Sequence, residues 1–446
     1  MTSDLEILKK LFNSFDPSRP LPAGDPKYVD CREVRGDGDI LEELGREIIF
    51  SERLTCQLYS GHRGAGKSTE LLRLQQDLDS KGYFVIYFAA DEEDIDSEDA
   101  QYTDILLACT RHLLDALKNS ADPQPLLDWL KDRWNDLKDL ALTEVSLESL
   151  SIEAQLHQFA KLTANLRAVP SVRQKIRERI DPHTTTLIKA LNEFIREGKK
   201  KLPEKYSQLL VIADNLDRIV PVIQEDGRSN HDHIFLDRHE QLKALECHLV
   251  YTVPISMLYL QKATDLRNNY DGENRVLPMI MVKTPDNVIY QPGLNKLKEV
   301  IAKRVNQVIP DRALETEIFD SPQTLEQICL MSGGHVRELL LLLRVAVKQT
   351  DKLPIPVKAV QRAITEARDN YRRSVQENQW QALAKVYHSK RIINDDLHRS
   401  LLFNRCLLEY RYLDGDEIKR WYDVHPLIKG IEEFKEACQQ ISWQKV

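Results

Sequence analysis

Gly61, Gly66, Lys67 and Ser68 stand in the order G-x-x-x-x-G-K-S within "GHRGAGKST". Glycines at those two places let a backbone turn tightly and bring its N–H groups close to an anion. A lysine directly after the second glycine can reach the outer phosphates of a nucleotide, and the serine hydroxyl beside it can ligate Mg²⁺. His62, Arg63, Gly64, Ala65 and Thr69 complete the stretch that would line the phosphates. Such chemistry needs a second acid to finish the Mg²⁺ shell. "QLLVIADNLDRI" supplies Asp214, at the end of the apolar run 209–213, as the metal-side acid. Asn215 follows it, and an amide cannot act as a base. Asp217 is then the best remaining acid to polarise a water, and equally well a turn cap or an ion-pair partner of Arg218.

These residues need a strand, a loop and a helix to hold them. "LTCQLYS", before the loop, alternates apolar and polar residues as a strand does. "STELLRLQQDL", after it, places Leu71, Leu72, Leu74 and Leu78 on one helix face. That order aims a helix N-terminus at the phosphates. Further apolar runs at 82–91, 209–213, 248–256 and 276–284 bring the candidate strands to five, separated by helical stretches. Strands alternating with helices predict an α/β fold with a parallel sheet covered on both faces. In an open sheet of that kind, an acid at the carboxyl end of a central strand is expected beside the phosphate loop.

With "GHRGAGKST", "LLVIADNLDRI", the polar Thr252 in the strand after the acidic one, and "SGGHVRELL", the sequence resembles the P-loop ATPases of the AAA+ and STAND/KAP kind over roughly residues 30–350. The resemblance implies ATP and Mg²⁺ as ligands and Ser68 with Asp214 as the metal pair. It implies Thr252 as a polar sensor of the outer phosphate and Arg337 as a second sensor at the start of a lid helix. Arg275 would be the finger presented to a neighbouring subunit, with Arg267 as second choice. Each arginine reads also as a solvated or salt-bridged surface residue. Asn215 departs from the hydrolytic pattern, and "D-x-L-D-R" is similar to the KAP and STAND branches, which implies a slow ATPase acting as a switch. In these families the region 25–36 lies against the base, making Val34 and Arg35 candidates for base contact.

The rest of the chain divides by pattern. Residues 1–50 form an N-terminal segment and 51–290 the ATPase core, carrying a charged helical insertion at 119–205. Residues 291–352 form a helical lid, and 353–446 a winged-helix-like domain. The insertion follows the acidic patch "DEEDIDSED" at 91–99; its charges read as solvated helix faces, or as a docking site for a partner protein. In the C-terminal domain two short amphipathic helices precede strand-like segments around Asp414-Gly415, a hairpin signal. Arg391, His398, Arg399 and Arg405 could face DNA phosphates. Asp395, Asp396, Glu409, Asp414, Asp416 and Glu417 surround them, however, and a mixed-charge wing is a poor phosphate footprint. An interaction or autoinhibitory module is the favoured reading.

Composition narrows the classes further. The chain has 446 residues, 42% hydrophobic and 30% charged, with a net charge of -8. That describes a soluble globular protein of two to three domains, not a disordered one. Its negative balance argues against gripping nucleic acid through the overall field. Residues 1–15 lack the apolar core of a signal peptide. The leucine run 339–343 is far too short to span a bilayer. Seven scattered cysteines fit a reducing cytoplasm.

Taken together, the sequence predicts a slow ATP-dependent switch that forms homo-oligomers and controls a separate effector protein, in bacterial defence or signalling by analogy. A DNA-binding AAA+ ATPase of the origin-recognition or transposition-regulator type is the alternative. A small-molecule kinase ranks last, because it leaves the lid and the C-terminal domain unexplained.

Overall fold

A computed structural model describes residues 4–137, 151–259, 263–273 and 275–443. The chain divides into two units. One comprises Met1–Asp39, Gly61–Glu70 and Val276–Val446; the other comprises Ile40–Ser60 and Leu71–Arg275.

One sheet holds strands β1 (Cys56–Gly61), β2 (Tyr83–Ala89), β3 (Gln208–Asp214), β4 (His248–Val253) and β5 (Arg275–Leu277), in the order β2-β3-β4-β1-β5; all of it but Gly61, Val276 and Leu277 belongs to the second unit. The pairs β1–β4, β2–β3 and β3–β4 are parallel, as the alternation of strands and helices predicts. Strands covered on both faces carry continuous apolar runs, and Leu209, Leu210, Val211, Ile212 and Ala213 of β3 are all fully buried. In register, Thr252 lies opposite Tyr59 and Tyr251 opposite Ala213. The carboxyl ends of β1, β4 and β3 therefore lie level, with β4 in the middle. The fold class is the expected one: a parallel-sheet P-loop core with a helical insertion.

One strand is much shorter than its apolar run. β5 stops at Leu277, although 276–284 reads as strand throughout. Pro278 follows at once and has no N–H to give a ladder. Met279, Ile280, Met281 and Val282 stay buried, but their backbone turns elsewhere.

The insertion is helical where it is described, at Gln124–Leu137, Ile152–Ala168, Pro170–Ile180 and Thr184–Lys200; its residues 138–150 lie outside the described residues. Leu130, Leu162, Ile176, Leu191 and Phe194 bury their side chains in one core with the sheet. Its charges are not all solvated, contrary to the sequence expectation. Arg173 is 2% exposed and bonds Asp96 at 2.6 Å and Asp99 at 2.7 Å. Arg177 is also buried and reaches Asp99 at 2.7 Å and Asp104 at 2.5 Å. Part of the acidic patch thus neutralises two arginines some 75 positions downstream, since a buried guanidinium needs a paired carboxylate.

In the first unit the helices Gln291–Asn306, Pro322–Met331 and Val336–Lys348 follow β5. Gly333 and Gly334, both with positive φ, separate the last two, so Val336–Lys348 starts just after "SGG". The five-leucine run sits in Val336–Lys348 with Leu339, Leu340, Leu342 and Leu343 buried and Leu341 turned outward. Burial of each such leucine contributes about 1.5–3 kcal/mol. Their cover comes from the helix Asp4–Ser14 and the helix Val357–Ser374.

Beyond these lie the helices Trp380–Ser389 and Asp396–Phe403, then β6 (Leu407–Asp414) paired antiparallel with β7 (Glu417–Val424), then the helix Glu432–Trp443. This is the helix–helix–hairpin order of a winged helix. Gly415 and Asp416 form the two-residue turn that the Asp-Gly signal predicts. All seven cysteines are free thiols. Among the described residues no helix is long and apolar enough to cross a membrane.

Candidate functional site

The phosphate loop leaves β1 at Gly61 and enters the helix Lys67–Ser80. That helix buries Leu71, Leu74 and Leu78, while Leu72 stays half-buried at the margin of the face. Lys67 is 5% exposed, and its ammonium donates to the carbonyls of Gly61 at 2.8 Å and His62 at 3.1 Å. A methyl group added at Gly66 would meet nothing within 4 Å, so the space in front of the loop is open. Buried cation, helix N-terminus and open cradle together suit a phosphate chain.

Five contacts made by distant residues fix this loop. Arg35, buried, donates to the carbonyl of Ala65 at 2.8 Å. The backbone N–H of Leu21 donates to the hydroxyl of Thr69 at 3.1 Å. His335 bonds the carbonyl of Arg63 at 2.8 Å, so its Nε2 carries the proton. The N–H of Arg337 donates to the carbonyl of Gly64 at 3.2 Å. Finally, Nε2 of His62 accepts the N–H of Glu409, in β6, at 3.0 Å. The approach at Gly64 is tight enough to need glycine: a Cβ there would sit 2.7 Å from both Arg337 Cβ and His335 Nε2.

The start of Val336–Lys348 is therefore bonded directly to the loop backbone, and the strand β6 is bonded to the side chain of His62 in the loop. Two more contacts close the arrangement. The hydroxyl of Tyr410 donates to the carbonyl of Gly333 at 2.7 Å, and the N–H of Met279 donates to the carbonyl of Glu409 at 3.0 Å. Glu409 is fully buried and satisfied by Arg411 at 2.9 Å and Arg420 at 3.2 Å. Val34 is buried as well, its carbonyl taking the N–H of Met281 at 2.9 Å.

The acidic residues stand on the sheet of the other unit. Asp214 is fully buried at the end of β3. One carboxylate oxygen accepts the Tyr87 hydroxyl at 2.7 Å, and the other accepts the Asn215 N–H at 2.7 Å. Asn215 takes a left-handed conformation (φ 66), and Asp217 is buried in the single turn Leu216–Arg218. Arg218 turns to Asp91 at 2.6 Å. Thr252 is buried in β4, and its hydroxyl accepts the N–H of Leu216 at 2.9 Å. Thr252 thus touches the turn that follows Asp214. Arg275 is half-buried at the start of β5, whereas Arg267 is exposed and paired with Glu273.

The C-terminal basic residues are mostly engaged. Asp395 caps its helix and accepts from His398 at 2.7 Å; Arg399 pairs with Asp396; Arg391 is exposed. Sequence reasoning missed Tyr87, the role of Arg35, and the imidazoles of His62 and His335. Contacts between positions 30 to 347 residues apart leave no local signature.

Burial makes the His62 ring acid-resistant. Desolvation, opposed by the Glu409 charge and aided by Lys67, lowers its pKa from 6.5 to about 4. His335 is lowered well below 6.5, first by burial and then by the Arg405 charge. Because the unfolded ring titrates near 6.5 and the folded ring resists protonation, stability is highest above that pH and falls as pH drops from 6.5 toward 4. For His62 the shift corresponds to about 3 kcal/mol across that window. Urea unfolding between pH 7.5 and 4.5 should therefore show a steeper loss of stability in wild type than in His62→Gln. Equal slopes would contradict the assignment.

No family model and no curated protein matches the chain. Solved structures do. The Walker-type ATPase PABY2304 of Pyrococcus abyssi is 13% identical, with a TM-score of 0.43, over 94% of this chain and 99% of that one. The Aeropyrum pernix ORC2 protein, in ADPNP and ADP complexes, is 11% identical, with a TM-score of 0.41, over 97% and 98%. The Aeropyrum pernix ORC1 protein, in complex with DNA, is 12% identical, with a TM-score of 0.37, over 95% and 96%.

Proposed function

We propose that this protein is a P-loop ATPase working as a nucleotide-dependent conformational switch. The observation that carries the proposal is the bonding of the loop carbonyls of Arg63 and Gly64 to His335 and Arg337, at the start of Val336–Lys348. A phosphate chain that reorders the loop must load or release those bonds. The helix and β6 then move or stiffen with it, which is the domain-closure class of switching.

Lys67 holds the outer phosphates, leaving the carbonyls of Gly61 and His62 to do so. The backbone of residues 61–69 cradles the chain, and Ser68 and Asp214 would hold Mg²⁺, which would supply neutralisation of phosphate charge when bound. Asp217 orients the attacking water in place of the base that Asn215 cannot be, which makes turnover slow. Thr252 reports the outer phosphate to the turn after Asp214, Arg337 acts from the lid side, and Arg275 serves a neighbouring subunit. The lid is 291–352, and 353–446 is an interaction module for an effector protein, in a homo-oligomer. Hydrogen exchange of Val336–Lys348 and β6, with ADP and with a non-hydrolysable ATP analogue, tests the switch.

A further inference from the structure

We propose that His335, Glu338 and His425 form a binding site for one divalent transition-metal ion, zinc by preference. One donor atom from each lies within 4.8 Å of the others, and all three residues are buried. Nδ1 of His335 and Nε2 of His425 have no hydrogen-bond partner. Such orphaned nitrogens are unusual in a core, where polar atoms are nearly always paired.

His335 is already arranged as a ligand. Its Nε2–H donates to the Arg63 carbonyl, which fixes the tautomer and leaves the Nδ1 lone pair free. A ligating histidine commonly gives its other N–H to a backbone carbonyl in this way. His335 caps the helix and Glu338 lies three residues on, which puts both on one face. His425 comes from the turn after β7. Its ring stacks on Tyr371 at 4.4 Å and 21°, and the Tyr371 hydroxyl faces Glu338 at 3.5 Å.

Two features work against the ion. Nδ1 of His425 accepts the Leu427 N–H at 3.3 Å, so ligation through Nε2 gives up that long bond and moves the ring proton. The Arg405 charge also acts on all three groups, and burial raises the Glu338 carboxyl above its ordinary value, so it gives up a proton on ligation.

Two imidazoles and one carboxylate are the donor set of zinc sites with an open position; magnesium and calcium prefer oxygen throughout. Ligand atoms around tetrahedral zinc stand about 3.4 Å apart, so binding draws the three inward by small side-chain rotations. The ion would tie the start of Val336–Lys348 to the end of the hairpin and, through His335, stiffen the phosphate loop. This site does not depend on nucleotide.

The test uses the full chain, freed of metal by chelator dialysis and then titrated with Zn²⁺ against a chromophoric chelator, and with Co²⁺. Wild type should take up one Zn²⁺ per chain, give Co²⁺ ligand-field absorption, and melt at a higher temperature with Zn²⁺. His425→Gln and Glu338→Gln, checked for folding by circular dichroism, should each weaken Zn²⁺ binding at least about 100-fold. Wild type without stoichiometric uptake overturns the proposal whatever the variants do. So do folded variants that keep wild-type affinity.

Discussion

Replacing Lys67 by alanine is expected to lower nucleotide affinity by about 100-fold or more while leaving the chain folded. The ammonium is buried and already held by two loop carbonyls at 2.8 and 3.1 Å, so it is preorganised at the helix N-terminus. Each charge-assisted hydrogen bond to a phosphate oxygen contributes about 1.5–3 kcal/mol, and a lysine placed here can make two. Two such bonds exceed the roughly 1.4 kcal/mol that separates each tenfold step in affinity. Folding should survive, because the helix and strand that flank the loop bury their own apolar faces. Calorimetric titration with ADP and with an ATP analogue reads the effect. Affinity within about threefold of wild type would mean that Lys67 does not meet the phosphates.

Gly334→Ala should lower stability by more than about 4 kcal/mol. Gly334 sits at φ 78, and a Cβ there would lie 1.7 Å from the carbonyl oxygen of Ile280 and 2.7 Å from its carbon. The obstacle is backbone, so no rotamer change relieves it. Nor can the Ile280 segment retreat freely, with Met279 bonded to Glu409 and Met281 to Val34. A cost of that size consumes much of the 5–15 kcal/mol typical of a domain. Gly415→Ala is the control. It has φ 64 and nothing within 4 Å, so it should cost about 1 kcal/mol from the left-handed conformation alone. Urea unfolding of the two variants separates clash from backbone strain; equal, small losses would show that the helix start can move.

What the sequence disclosed, and what it hid, follows from range. The phosphate loop, β1 to β4 and the Asp414-Gly415 hairpin are written in spacings of a few residues, and periodicity or turn chemistry reveals them. The break at Gly333-Gly334 is local as well, two adjacent glycines ahead of a helix start. β5 illustrates competition between two local signals, in which the missing N–H of Pro278 outweighed an apolar run. By contrast, His62 meets Glu409 across 347 positions and His335 meets Arg63 across 272. Arg173 and Arg177 looked like solvated charges for the same reason: their carboxylates lie more than seventy residues upstream. Tyr87 and Arg35 carry no motif at all. Their parts in holding Asp214 and the loop become visible once strand register and chain reversal bring them there.

The most direct test of the switch is hydrogen exchange of the intact chain with Mg²⁺ and either ADP or a non-hydrolysable ATP analogue, at nucleotide concentrations shown by calorimetry to saturate. The account predicts that the amides of Val336–Lys348 and of Leu407–Asp414 exchange differently in the two states, and that Lys67→Ala removes the difference. Identical exchange of both elements in wild type, with each nucleotide bound, would contradict it.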